Sequence, residues 1–206
     1  MFNENSSFFG PVSGSPVQAI AFILSRPHGE YTDKDIIETI VPAYFDTCAP
    51  VGVDPILAIA QMIHETGTLT SFWSARPQRN PSGIGVNGKK QPDQPADTTN
   101  WSFNTQRGMW ECGLSFKSWK DDAIPAHIGR LAAYGLGDGT GDEVQQSLIV
   151  RALSYRPLPA TLRGTAPTLK PLGKAHNPAG QGWASPGTDY GQRIAEIANK
   201  ILTMPG

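Results

Sequence analysis

DPILAIAQMIHETG, residues Asp54–Gly67, is apolar almost all the way round a helix, through Ile56, Leu57, Ala58, Ile59, Ala60, Met62 and Ile63. A helix without a polar face has to be enclosed by other elements rather than laid on a surface, so this one is central. Asp54 with Pro55 behind it starts the helix, because an aspartate accepts from the free N–H groups of the first turn and a proline there has no N–H to leave unpaired. Gly67 ends it. Glu65 interrupts the pattern in the last turn, where apolar surroundings and the negative end of the helix dipole both favour its protonated form. A carboxylic acid that keeps its proton near neutral pH can act as a general acid. The competing reading is an exposed residue at a helix terminus, or a carboxylate that caps a neighbouring loop.

Working outward, SPVQAIAFIL has Ser15 as an N-cap and Pro16 in the first turn, and residues 1–14 read as a flexible lead-in that Phe8 and Phe9 can pin. TDKDIIETIVPAYFDTCAPVG has Thr32 and Asp35 in capping-box spacing and places Ile36, Ile37, Ile40, Val41, Tyr44 and Cys48 on one face, with a bend at Pro42. Helical periodicity returns in DDAIPAHIGRLAAYG, in GDEVQQSLIVRALSY and in TDYGQRIAEIANKIL, whose stripe is Tyr190, Ile194, Ile197 and Ile201. Between Trp73 and about Ser118 turn residues dominate, and NWSF and MWECGLSF around NTQRG predict a small hairpin. A Pro/Gly-rich segment from Arg156 to Gly187 is long enough to suggest a binding surface rather than a connector. Residues 15–206 are expected to form one domain, with 73–118 as its loop and β lobe.

A content of 39% hydrophobic and 17% charged residues is that of a globular protein, and 22 Gly with 18 Pro indicate long loops. Net charge is −1, distributed as −6 over residues 1–72, 0 over 73–150 and +5 over 151–206. No dense Lys/Arg run alternates with aromatics, which argues against nucleic acid, and no apolar run has the length of a membrane span. A secretory leader is not visible at the start. Cys48 and Cys112 permit either one disulfide or two buried thiols.

Three motifs fall short. His64-Glu65 lacks the second histidine of a zinc-protease helix, since position 68 is Thr, so no metal is expected. LGDGTGDE, Leu136–Glu143, lacks EF-hand spacing and reads as a turn before a helix capped by Asp142. GIGVNG has neither the glycine spacing nor the strand–loop–helix setting of a nucleotide site. No cofactor is expected.

AIAQMIHETGTLTSFWSARPQRNPSGIGV resembles the signature of glycoside hydrolase family 73, the glucosaminidase domains of autolysins, flagellar muramidases and phage lysins. The matching positions are Ala60, Gln61, Glu65, Thr66, Gly67, Asn80, Gly83 and Ile84. FKSWKDDAIPAHIGRL is similar to a second stretch of that family through Phe116, Trp119, Ile124 and His127, and GWASPGTDYGQRIAEIANKI to a third through Trp183, Ala184, Asp189 and Tyr190. The resemblance runs in order over about residues 30–203. It implies a mainly α, lysozyme-like α+β fold in which a helical lobe and a small β-hairpin lobe flank a substrate cleft. It also implies an endo-β-N-acetylglucosaminidase that cleaves peptidoglycan with Glu65 as general acid, and with Trp183, Asn80, Gly83, Ile84, Tyr190 and Trp119 binding substrate.

The chain departs from that pattern in two places. Trp183 stands where a tyrosine usually lines the cleft, so a phenol there must come from another residue or be missing. A second acid in the β lobe has no clean counterpart; Asp97, Glu111 and Asp121 are nearest, and Glu111, in the predicted hairpin, is best placed. Without it, the substrate's own N-acetyl group or an unassisted water has to complete the reaction. About two of the five tryptophans are expected to face the cleft. The alternatives are a lytic transglycosylase and a non-catalytic glycan-binding module. The implied partner is a peptidoglycan strand, with no nucleic acid or membrane, acting as a monomer at the cell wall or delivered by a phage.

Overall fold

The computed structural model describes all 206 residues. Helix α4, Pro55–Thr66, is buried from Pro55 through Ile63, as its apolar circumference requires. The Asp54 side chain accepts from the Ile56 N–H at 3.0 Å, and Gly67 closes the helix at φ +58. Around it lie α1 (Pro16–Leu24), α2 (Asp33–Asp35), α3 (Val41–Cys48), α5 (Ile124–Gly135), α6 (Glu143–Tyr155) and α7 (Tyr190–Leu202). Helix α4 packs chiefly on α7, and α5 on α6. The α5–α6 approach is close because Gly129 has no side chain: a Cβ there would strike the Leu148 carbonyl and stand 2.6 Å from the Ala152 methyl.

The expected capping boxes form at Ser15–Gln18 and Thr32–Asp35, and a third at Asp142–Gln145 starts α6. The bend expected at Pro42 takes a specific form. Helices α2 and α3 are joined by a single π-helical turn, Ile36–Ile40, in which the Val41 N–H bonds to the carbonyl of Ile36, five residues back. A second such turn, Trp119–Ala123, enters α5, where the Ile124 N–H reaches Trp119. In each case the next residue is a proline, Pro42 or Pro125, which has no N–H and whose ring would crowd an α-helical carbonyl; widening the preceding turn relieves both problems.

Strands β1 (Lys90–Gln91), β2 (Trp101–Asn104) and β3 (Met109–Cys112) form an antiparallel sheet in the order β1-β3-β2. The predicted hairpin is β2–β3, with Trp101 opposite Cys112 and Asn104 opposite Met109. Strand β1 has only two residues and carried no alternation to betray it. The result is a mainly α, α+β architecture with a small sheet beside the helices. No helix is long and apolar enough to cross a membrane.

The first fourteen residues are held along their length. Phe8 is fully buried, the Leu169 and Lys170 N–H groups bond to the Ser6 and Glu4 carbonyls, and Phe9 bridges to Val53. Cys48 lies in the core on α3 and Cys112 in the sheet, both as free thiols, so the disulfide alternative does not hold; Cys112 is only partly buried and accepts from Asn87.

Candidate functional site

Glu65 faces a cavity of about 280 Å³ between the helices and the 82–86 loop. Arg130 and Tyr134 of α5 line another side, and Arg156, Gly182 and Trp183 of the long Pro/Gly-rich segment close it. That segment has no long helix or strand, yet its backbone is fixed: the Trp183 N–H bonds to Leu172 O at 2.7 Å and the Lys174 N–H to Ala184 O at 2.9 Å. Gly173 and Gly187 touch backbone to backbone, where any Cβ would collide. Trp183 is thereby presented on a rigid support, with its ring 5.6 Å from Tyr134 and 5.7 Å from His127.

The 80–84 loop owes its shape to Asn80. Its amide nitrogen donates to the Ile84 and Leu114 carbonyls at 2.8 and 3.0 Å, while its oxygen accepts from the Ser82 and Ile84 N–H groups. Asn80 is fully buried and touches no cavity surface; it organises the loop that does. Gly83 adopts φ +65 and sets its backbone against the acid: a Cβ there would lie 3.9 Å from Glu65 Oε2.

The other carboxylate oxygen, Oε1, accepts a hydrogen bond from the Tyr190 hydroxyl at the start of α7. Burial raises the Glu65 pKa to about 7, and hydrogen bonding from Tyr190 and, secondarily, from Trp183 pulls the other way. Desolvation therefore accounts for the retained proton, and the helix dipole is not needed to explain it.

Behind Tyr190 a buried polar chain runs through the core. Gln61 Nε2 donates to the Tyr190 hydroxyl at 2.9 Å, His127 Nε2 meets Gln61 Oε1 at 2.9 Å, and the Tyr44 hydroxyl meets His127 Nδ1 at 2.9 Å. Burial drives the His127 pKa down to about 3, so the ring is neutral. The phenol that Trp183 cannot supply is thus present on Tyr190.

Of the residues expected at the site, Glu65, Gly83, Ile84 and Trp183 line the cavity and Tyr190 supports it from behind. Trp119 does not reach it: the ring is 5% exposed, packs edge-on against Tyr31 and donates its N–H to the Tyr31 hydroxyl, so it belongs to the core. Glu111 does not reach it either. It sits in β3, where Arg107 at 2.9 Å, Asn104 at 3.1 Å and Lys90 at 3.8 Å occupy its carboxylate. Trp183 is the one tryptophan on the cavity wall, against about two expected. Sequence reasoning passed over Arg130, Tyr134, Arg156 and Ser82, which lie on elements that carried no motif; Ser82 Oγ is buried with no protein partner.

No protein-family model matches the chain, and no curated protein matches it. One solved structure that does is the catalytic domain of the autolysin Auto from Listeria monocytogenes, 18% identical over 69% of this chain and 86% of that one, with a TM-score of 0.29. A superposition that loose leaves the reading of the site to its own geometry.

Proposed function

We propose that the chain is a peptidoglycan hydrolase, an endo-β-N-acetylglucosaminidase in which Glu65 protonates the bridging oxygen of the glycosidic bond. The observation that carries this reading is the state of Glu65: a carboxyl group with a pKa near 7, on the wall of a cavity, with one oxygen held by Tyr190. An acid of that strength is half protonated at neutral pH and is a serviceable proton donor. Tyr190 then stabilises the carboxylate left after transfer.

Glu65 is the sole carboxylate among the residues that line the cavity. The mechanism that suits a lone acid is one in which the substrate's N-acetyl oxygen attacks C1 as Glu65 protonates the leaving oxygen. The Glu65 carboxylate next removes a proton from the water that opens the resulting ring. Trp183 offers a face for a sugar ring beside the acid. The substrate is a glycan strand of the cell wall, met by a monomer acting outside the cytoplasm.

The same lone acid suits a lytic transglycosylase, in which the muramyl C6 hydroxyl rather than water completes the reaction. Mass spectrometry of a peptidoglycan digest separates the two: reducing N-acetylglucosamine ends are expected, and 1,6-anhydromuramyl ends would reassign the chain. Zymography with Glu65→Gln tests for catalysis itself. Clearing by the wild type and none by the variant is expected; equal clearing removes Glu65 from the mechanism, and none by either leaves a glycan-binding module.

A further inference from the structure

Arg130 and Arg156 line the cavity without a carboxylate partner. Arg76, Arg107 and Arg163 each meet an acidic side chain elsewhere, whereas Arg130 makes no ion pair and spends one Nη1–H on the Arg156 carbonyl at 2.9 Å. That bond ties the two residues together across α5 and the chain leaving α6. The Arg130 guanidinium is flanked by rings, 5.9 Å from the centroid of Tyr134 and 6.0 Å from that of Trp183, which limits its rotation. The sole acid on the cavity wall is Glu65, whose retained proton keeps it from neutralising either cation, and neither arginine contributes to the Glu65 shift. Two fixed cations at a cavity with nothing to balance them are a receptor for an anion, and guanidinium groups suit a planar carboxylate.

We propose that Arg130 and Arg156 form an anion subsite of the Glu65 cavity, which takes a carboxylate carried by the sugar polymer or by a peptide hung from it. The subsite selects acidic glycans over neutral N-acetylglucosamine polymers, and it rests on the glycan reading proposed above.

The test measures binding by calorimetry in the Glu65→Gln background, with three probes. Chitohexaose is neutral, peptide-free wall strands expose their muramyl carboxylates, and peptide-bearing strands have that group amidated but carry carboxylates on the peptide. At least one acidic probe is expected to bind about tenfold more tightly than chitohexaose, a preference of about 1.4 kcal/mol that weakens with added salt. Tighter binding of peptide-free strands assigns the anion to the sugar, and preference for peptide-bearing strands alone assigns it to the peptide. Arg156→Gln, at an exposed position, and Arg130→Lys, which keeps the charge but loses the fork, are each expected to reduce the ratio of acidic to neutral affinity. Glycans bound without regard to charge, or a preference that survives both substitutions, overturn the subsite alone. Failure to bind any glycan, together with an inactive wild type, overturns the glycan reading and the subsite with it.

Discussion

His127 Nε2 lies 2.9 Å from Gln61 Oε1, and this contact sets which way round the Gln61 amide sits. The neutral ring has one N–H; with Nδ1 accepting from the Tyr44 hydroxyl, that N–H falls on Nε2, as the hydrogen-bond network assigns it. Gln61 must then present its oxygen to His127 and its NH2 to Tyr190, and Tyr190 must donate to Glu65. Every link from Tyr44 onward points its proton toward the acid. Gln61→Leu, close in volume but without the amide, is therefore expected to lower kcat about 10- to 100-fold with KM little changed, measured on solubilised glycan strands. An equal loss through KM would mean that Gln61 shapes binding instead.

Tyr190→Phe removes the donor that lowers the Glu65 pKa, so that pKa is expected to move above its present value near 7. Carbon-13 NMR of the Glu65 carboxyl reads the shift directly. The substitution also strands the Gln61 NH2 in the core, at a stability cost of about 1–3 kcal/mol in urea denaturation.

Two buried groups govern stability against pH with opposite sign. For His127 the folded pKa is about 3 against an ordinary 6.5, so between those values the unfolded chain binds the extra proton and stability is lost as pH falls. For Glu65 the folded pKa is about 7 against an ordinary 4.5, so the native state binds the extra proton in that window and stability is lost as pH rises. Between pH 4.5 and 6.5 the two slopes cancel. A denaturation series across pH is expected to show a plateau there; Glu65→Gln makes stability climb through it, and His127→Gln makes it fall.

Asn80→Ala is expected to cost roughly 2–4 kcal/mol, because four hydrogen bonds within the 80–84 loop and to Leu114 depend on one fully buried side chain. Amide exchange should quicken at Ile84, whose N–H donates to Asn80, before it quickens in α4.

Trp183→Ala is expected to weaken binding of a glycan oligomer about tenfold, measured with the Glu65→Gln protein. An unchanged isotherm would place the sugar elsewhere along the cavity.

The helical elements were legible where a local rule governed them. The apolar circumference of 54–63, the boxes at Ser15 and Thr32 and the stripe from Tyr190 to Ile201 each follow from contacts within a few residues. Glu65 was legible because it broke such a rule. Trp119 and Glu111 misled because sequence position says which element a residue occupies, not which side of it meets the cavity: one turned toward Tyr31, the other toward Arg107. Arg130, Arg156 and the His127–Gln61 contact bring together residues far apart in the chain, and no periodicity carries that information.

The widened turns before Pro42 and Pro125 bear on this assembly. Each spends one residue more than an α-helical path would, so deleting a single residue from either would rotate everything downstream by about 100° relative to what precedes it. Tyr44 lies just after the first turn and His127 just after the second, and their 2.9 Å contact depends on both rods arriving at the right azimuth. The pair thus acts as an angular gauge: a one-residue shortening in both rods can keep each helix intact and still leave the tyrosine and the imidazole facing past one another.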